Sequence, residues 1–251
     1  APLSGGFALA GHTNSLDLPN GAKSAGESDA MFVRTTAKGA LMWNKTYGGP
    51  GSEYAEDLAE LADGGFAIAG YTYSKFLSGG GVTPMLPPLF LLVRTNANGD
   101  FLWGRTYGLP NGSVLHAIAA TPDGGFALTG YGSSPPVGGG GQAASDAQNL
   151  WLVRTDSVGV QLWSRSFGGS KQDVGMAVTS RSGGGFAVVG WTKSKDLSGG
   201  LKTAGKEDLL LIQTDAWGNA SCAGPGNCWK KKEAACDDGN PCTYDGCDTA
   251  S

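Results

Sequence analysis

The chain has 251 residues, a formal net charge of −4 and 43 glycines, about 17% against a usual ~7%. Glycine does not fall at every third residue, which excludes collagen, and 40% hydrophobic residues with seven tryptophans exclude a chain too polar to bury a core. An acidic balance with no basic block beyond Lys230-Lys231-Lys232 argues against nucleic acid as a partner, no apolar run is long enough for a membrane span, and what remains is a turn-dense β protein.

The elements repeat, so they are taken copy by copy. In the first copy Gly5-Gly6-Phe7-Ala8-Leu9-Ala10-Gly11 reads as a short strand after a turn. Phe32-Val33-Arg34-Thr35 is a second strand, ended by the turn glycine Gly39, and Trp43-Asn44-Lys45-Thr46-Tyr47-Gly48-Gly49 is a third. The second copy has a strand ahead of these, Leu58-Ala59-Glu60-Leu61, then the hairpin turn Asp63-Gly64-Gly65. It continues with Phe66-Ala67-Ile68-Ala69-Gly70, Leu92-Val93-Arg94-Thr95, Gly99 and Trp103-Gly104-Arg105-Thr106-Tyr107. The third copy gives Ile118-Ala119-Ala120, Asp123-Gly124-Gly125-Phe126, Leu152-Val153-Arg154-Thr155, Gly159 and Trp163-Ser164-Arg165-Ser166-Phe167. The fourth gives Val178-Thr179-Ser180, Gly184-Gly185-Phe186, the weaker Leu211-Ile212-Gln213-Thr214 and Gly218, with Cys222 where the others have Trp. From Phe to Phe the steps are 59, 60 and 60 residues.

Each block is apolar, β-branched or aromatic and is bounded by Gly, Asn, Asp or Ser, the signature of short strands and turns. No segment shows a sustained helical period. Units of four antiparallel strands cannot bury both faces alone but can do so by stacking, which points to a β-propeller-like fold of about four blades. Trp43, Lys45 and Tyr47 share one side of their strand, as do their counterparts, and suit packing between blades. Fourteen strands are clear where four blades of four need sixteen. Trp229-Lys230-Lys231 echoes Trp43-Asn44-Lys45, so residues 227–233 are expected to supply the last blade's missing strand. The competing reading is an arc of a larger propeller.

In order, the blocks Asp-Gly-Gly-Phe, then Arg-Thr, then Trp-x-Lys/Arg-Thr-Tyr-Gly-Gly resemble tandem propeller-like repeats of secreted bacterial and archaeal proteins, over about residues 4–217. The resemblance implies a secreted or cell-surface propeller used for recognition or as a scaffold. Ala1-Pro2 reads as an ordinary mature end after a cleaved signal peptide.

A composition shift near Gly218 divides the chain into a repeat domain, 1–218, and a tail, 219–251. All five cysteines, Cys222, Cys228, Cys236, Cys242 and Cys247, lie in the tail, which fits a small disulfide-stapled module in an oxidising compartment. Four can pair within it and one is left over, with connectivity open. The run from Cys236 to Asp248 resembles a short Asp/Cys-rich module of secreted bacterial surface proteins. Asp237, Asp238, Asn240, Asp245 and Asp248 are hard oxygen donors suited to Ca²⁺, or are solvated turn residues.

Residues present in every copy are read as architecture, so function is sought where the copies differ. Four long connectors, Ser15–Asp29, Ser74–Leu89, Ser133–Asn149 and Ser194–Glu207, must emerge on one face and could form a composite binding surface for a protein or glycan. Within it Met85 and Leu86 are exposed apolar candidates, and Tyr71, Tyr73, Tyr131 and Trp191 stack on sugar rings or pack beneath the loops. No nucleophile elbow, phosphate loop or metalloprotease helix motif appears. The expected function is therefore a non-enzymatic extracellular propeller for binding or surface assembly. The alternative is a polysaccharide-active hydrolase or lyase with an unrecognised site on the ring face.

Overall fold

A computed structural model describes residues 5–19, 22–24, 26–74, 87–109, 111–133, 148–197 and 206–221. Among these residues all regular structure is β, in four antiparallel sheets. Sheet I holds β1 (Ala8–Thr13), β2 (Asp29–Thr35) and β3 (Leu41–Tyr47). Sheet II holds β4 (Glu53–Glu60), β5 (Phe66–Thr72), β6 (Leu89–Thr95) and β7 (Phe101–Tyr107). Sheet III holds β8 (Ser113–Ala120), β9 (Phe126–Ser133), β10 (Gln148–Thr155) and β11 (Gln161–Phe167). Sheet IV holds β12 (Asp173–Ser180), β13 (Phe186–Thr192), β14 (Asp208–Thr214) and the two-residue β15 (Ala220–Ser221). Every sheet is a meander in chain order, and sheet I has no strand ahead of β1 among the described residues.

The fourth strand of sheet IV is seen only at its start, β15. Ala220–Ser221 pair with Gln213 and Thr214 directly after the Gly218 turn, so the fourth strand of sheet IV starts where the repeat places it. Residues 227–233 and the cysteine-rich run 222–251 lie outside the described residues.

The turn chemistry explains the double glycine. Gly64 and Gly124 have φ of +80° and +84°, the left-handed region that favours glycine. The glycine after each is needed for space, since a Cβ at Gly65 or Gly125 would run into the guanidinium of Arg94 or Arg154. Each arginine is buried and reaches back across its sheet. Arg94 pairs with Asp63, and Arg154 pairs with Asp123 at 2.6 Å and donates to the Phe126 carbonyl at 3.3 Å. In sheet IV the acid and the arginine are replaced together, by Gly183 and Gln213.

The strands opening sheets II to IV begin about five residues earlier than their apolar blocks suggest. Their first residues are polar yet buried: Glu53, Ser113 and Asp173. Glu53 accepts from the Gly49 amide at 2.7 Å and the Thr72 hydroxyl at 2.6 Å. Asp173 accepts from the Gly169 amide and the Ser194 hydroxyl, both at 2.8 Å, and from the Thr192 hydroxyl. These bonds fasten the crossing from one sheet to the next, and burial pushes the Asp173 carboxyl up despite them.

The sheets stack face to face through three apolar cores. Ala30 and Phe32 of sheet I meet Phe66 and Ile68 of sheet II; Phe90 and Leu92 meet Phe126 and Leu128 of sheet III; Leu150 and Leu152 meet Phe186 and Val188 of sheet IV. A second contact repeats beside each core. Trp43, Trp103 and Trp163 lie over Gly99, Gly159 and Gly218 of the following sheet, where a Cβ would come within about 2.8 Å of the indole ring. The Tyr47 hydroxyl donates to the Gly99 carbonyl at 2.6 Å, and that of Tyr107 to Gly159 at 2.7 Å. Lys45 pairs with Asp100 at 3.2 Å across the same junction, while Arg105 and Arg165 lie over their own sheets' Trp103 and Trp163. Packing runs I to II to III to IV, and among the described residues no comparable contact joins IV back to I.

Candidate functional site

The strand ends from which the long connectors leave carry side chains that differ between copies. After the closing glycine of each repeat strand stands a ring: His12, Tyr71, Tyr131 or Trp191. On the preceding strand of sheets II to IV, their cross-strand partners are Tyr54, Val114 and Val174.

A β-bulge adds a second variable position. The register slips between Ala55 and Asp57, Leu115 and Ala117, and Gly175 and Ala177. The unpaired residue is therefore Glu56, His116 or Met176. Bulges re-aim a side chain out of the ladder and are frequent beside functional sites. Gly70, Gly130 and Gly190 make the bulge possible, because a Cβ at each would collide with the carbonyl of Tyr54, Val114 or Val174. The glycine that closes the repeat motif is thus the sequence signal of the bulge.

These positions, with Tyr73, bring four tyrosines, a carboxylate and two histidines into one row across sheets I to III. His12 meets Tyr54 edge-on at 4.7 Å between centroids, Tyr54 stacks on Tyr71 at 4.9 Å, and Tyr71 meets Tyr73 at 6.1 Å. His116 and Tyr131 continue the row in sheet III, 5.7 Å apart. Tyr73 sits close enough to both Tyr71 and Tyr131 to raise their phenols electrostatically, and Tyr131 acts on Tyr71 in the same way.

The electrostatics favour the neutral forms of Tyr71, Tyr131 and His116. Burial, with Glu56 and the neighbouring phenols, pushes the Tyr71 hydroxyl up to about 12, and burial raises Tyr131 as well. Desolvation lowers His116, which favours its neutral imidazole. The Glu56 carboxyl is raised by its surroundings, an effect partly opposed by His12. Asp57, the other acid of that strand, is committed to structure: it accepts from its neighbour's Leu58 amide at 2.8 Å and from the Ile118 amide of sheet III at 3.0 Å.

Of the sequence candidates, the structure gathers Tyr71, Tyr73 and Tyr131. It places Trp191 apart, in sheet IV, beneath Lys193 at 4.9 Å from the ring centroid. Lys193 also pairs with Glu207 at 3.2 Å and, with Lys171 and Lys206, borders an open cleft of about 620 Å³. Met85 and Leu86, the donors Asp237, Asp238, Asn240, Asp245 and Asp248, and all five cysteines lie outside the described residues. Among the described residues no group of three or more His, Cys, Asp and Glu side chains is placed to hold a metal ion. Sequence reasoning missed His12, Tyr54, Glu56 and His116 as members of one site. No helix among the described residues is long and apolar enough to cross a membrane. In comparisons with known proteins, no family model matches the chain and no curated protein matches it.

Proposed function

We propose that this chain is a β-propeller-like, non-enzymatic binding protein of the cell exterior, and that the row from His12 to Tyr131 holds a neutral glycan. The observation that carries this reading is the row itself. Ring-bearing side chains gather at strand ends where the copies of the repeat differ, and they form an extended, partly exposed aromatic surface. Tyrosine offers a sugar ring an apolar face and a hydroxyl at its tip. A Tyr71 phenol held up to about 12 stays protonated and donates hydrogen bonds, and the neutral imidazole of His116 and the Glu56 carboxyl supply the acceptors a polyol needs. The strands end here in the connectors that differ between copies.

The same features weigh against a glycoside hydrolase or lyase. Hydrolysis needs two facing carboxyl groups, and in the row Asp57 already serves backbone amides, leaving Glu56. A tyrosine base would need a lowered pKa, whereas Tyr71 is raised. The extracellular assignment rests on the cysteine distribution, with none before Cys222 and all five from Cys222 onward.

The test is calorimetric titration with neutral oligosaccharides of several linkages. The native protein should bind at least one. Tyr71→Ala and Tyr131→Ala should each weaken binding by roughly 10-fold, the loss expected of one stacked ring. Lys171→Ala, at the separate cleft, should leave it unchanged. Binding indifferent to both tyrosines, or no binding to any neutral sugar, rejects the proposal.

A further inference from the structure

The three internal junctions show what each face of a sheet is for, and among the described residues the two outermost faces have no sheet packed on them. On the face turned to the following sheet, Phe90 and Leu150 are wholly buried, and so are Leu92 and Leu152. The same repeat positions in sheet IV are Leu209 and Leu211, which are 80% and 47% exposed, with Val189 beside them at 40%. On the face turned to the preceding sheet, Phe66, Phe126 and Phe186 are at most 3% exposed. Their counterpart in sheet I, Phe7, is 58% exposed, and Leu9, at the position of the buried Ile68, Leu128 and Val188, is 52% exposed. Met31 and Val33 of β2 complete that face and are half-buried. The residue types are those of the covered faces, yet they stand open.

We infer that this chain associates head to tail with a second copy of itself, the free face of sheet IV docking on the free face of sheet I. The occupant is argued from the molecule's own interior. Three times within the chain a face built like that of sheet IV is covered by a face built like that of sheet I, and one unused example of each remains. The two faces are different surfaces, so the contact is heterologous and propagates into a closed ring or a longer array. Gly39 marks the docking edge of sheet I. It has a φ of +80°, in the same left-handed region as Gly99, Gly159 and Gly218 at +74° to +81°, but a Cβ there would meet nothing within 4 Å, whereas each of those three lies under a tryptophan of the sheet before it. At the repeat position of those tryptophans the chain carries Cys222. The intermolecular junction therefore lacks the indole clamp and is weaker than the internal ones, which makes it reversible with concentration.

The test uses the full chain and two face-directed variants, Leu209→Lys with Leu211→Asp, and Phe7→Lys with Leu9→Asp. Masses are read by sedimentation velocity across a concentration series. The native protein is expected to exceed the monomer mass and to rise with concentration. Each variant alone should be monomeric, its association weakened by roughly 10–100-fold per buried apolar side chain lost. Mixed in equal amounts, the two variants should form a complex of two chains and no larger species, because each retains the face the other has lost. Circular dichroism matching the native protein confirms folding, and the single Leu209→Lys, at the most exposed of these positions, is the second variant should a double one fail to fold. A native protein that stays monomeric throughout, which is the outcome if another part of the same chain covers these faces, overturns the inference. So does association that survives both pairs of substitutions, or a mixture that yields no complex.

Discussion

His116 shows how one bulged residue couples local geometry to solution behaviour. Its ring is desolvated beside Tyr131, so its folded-state pKa lies below the ordinary 6.5. The unfolded chain then takes up the proton first as pH falls. The contribution of the neutral ring to stability is whole above about pH 6.5 and is lost as pH drops toward the folded-state value. Glu56, raised by its surroundings, acts in the opposite sense, losing stability as pH rises through its own folded-state value. The comparison that isolates the histidine is therefore native against His116→Gln. The native melting temperature is expected to fall more steeply than that of the variant between about pH 6.5 and pH 5. Parallel slopes would show that this ring does not titrate as its burial requires. The row was only partly legible in the sequence. Tyr71, Tyr73 and Tyr131 stand next to strand-ending motifs and were visible there. Glu56 and His116 were not joined to them, because simple alternation along a strand gives no hint that a bulge turns the next residue out of the ladder. Tyr54 and His12 come together only when two sheets stack.

Among the elements, the turn between the second and third strand of each sheet does two jobs. Its glycine takes a left-handed φ, and in three of four copies it also forms the floor beneath a tryptophan. Alanine at Gly39 meets only the first requirement and should cost about 1–2 kcal/mol. Alanine at Gly99 meets both, with the Trp43 ring 2.7 Å from the new Cβ, and overpacking adds about 1–3 kcal/mol. Denaturant unfolding of the two variants should therefore separate them, Gly99→Ala the less stable. Equal losses would mean that the indole moves aside at no cost. The strands and hairpins were readable from the recurring blocks because each block ends at a residue that takes a turn. The true starts of β4, β8 and β12 were not, since Glu53, Ser113 and Asp173 are polar residues buried by hydrogen bonds rather than by apolarity. Likewise β15 was hidden because its two residues, Ala220 and Ser221, carry no strand signal of their own and are held by β14.

For the whole molecule, each sheet leans on its immediate neighbours, so stability is close to a sum of units and junctions. A single repeat position then has a value set by its place in the row. Phe126, wholly buried between sheets II and III, should cost about 3–5 kcal/mol on replacement by alanine. Phe7, at the same repeat position but largely open, should cost less than about 1 kcal/mol in dilute solution. Thermal or chemical melts of the two variants read the contrast directly, and comparable losses would refute the linear stack. Because every junction joins the same pair of faces, the number of sheets is not fixed by the packing. A gene segment coding for one period could be duplicated or excised by ordinary recombination and still leave matched surfaces at the seam. The length of such a protein is thus open to inheritance as a variable, while the row of rings at the connector end changes one step at a time with it.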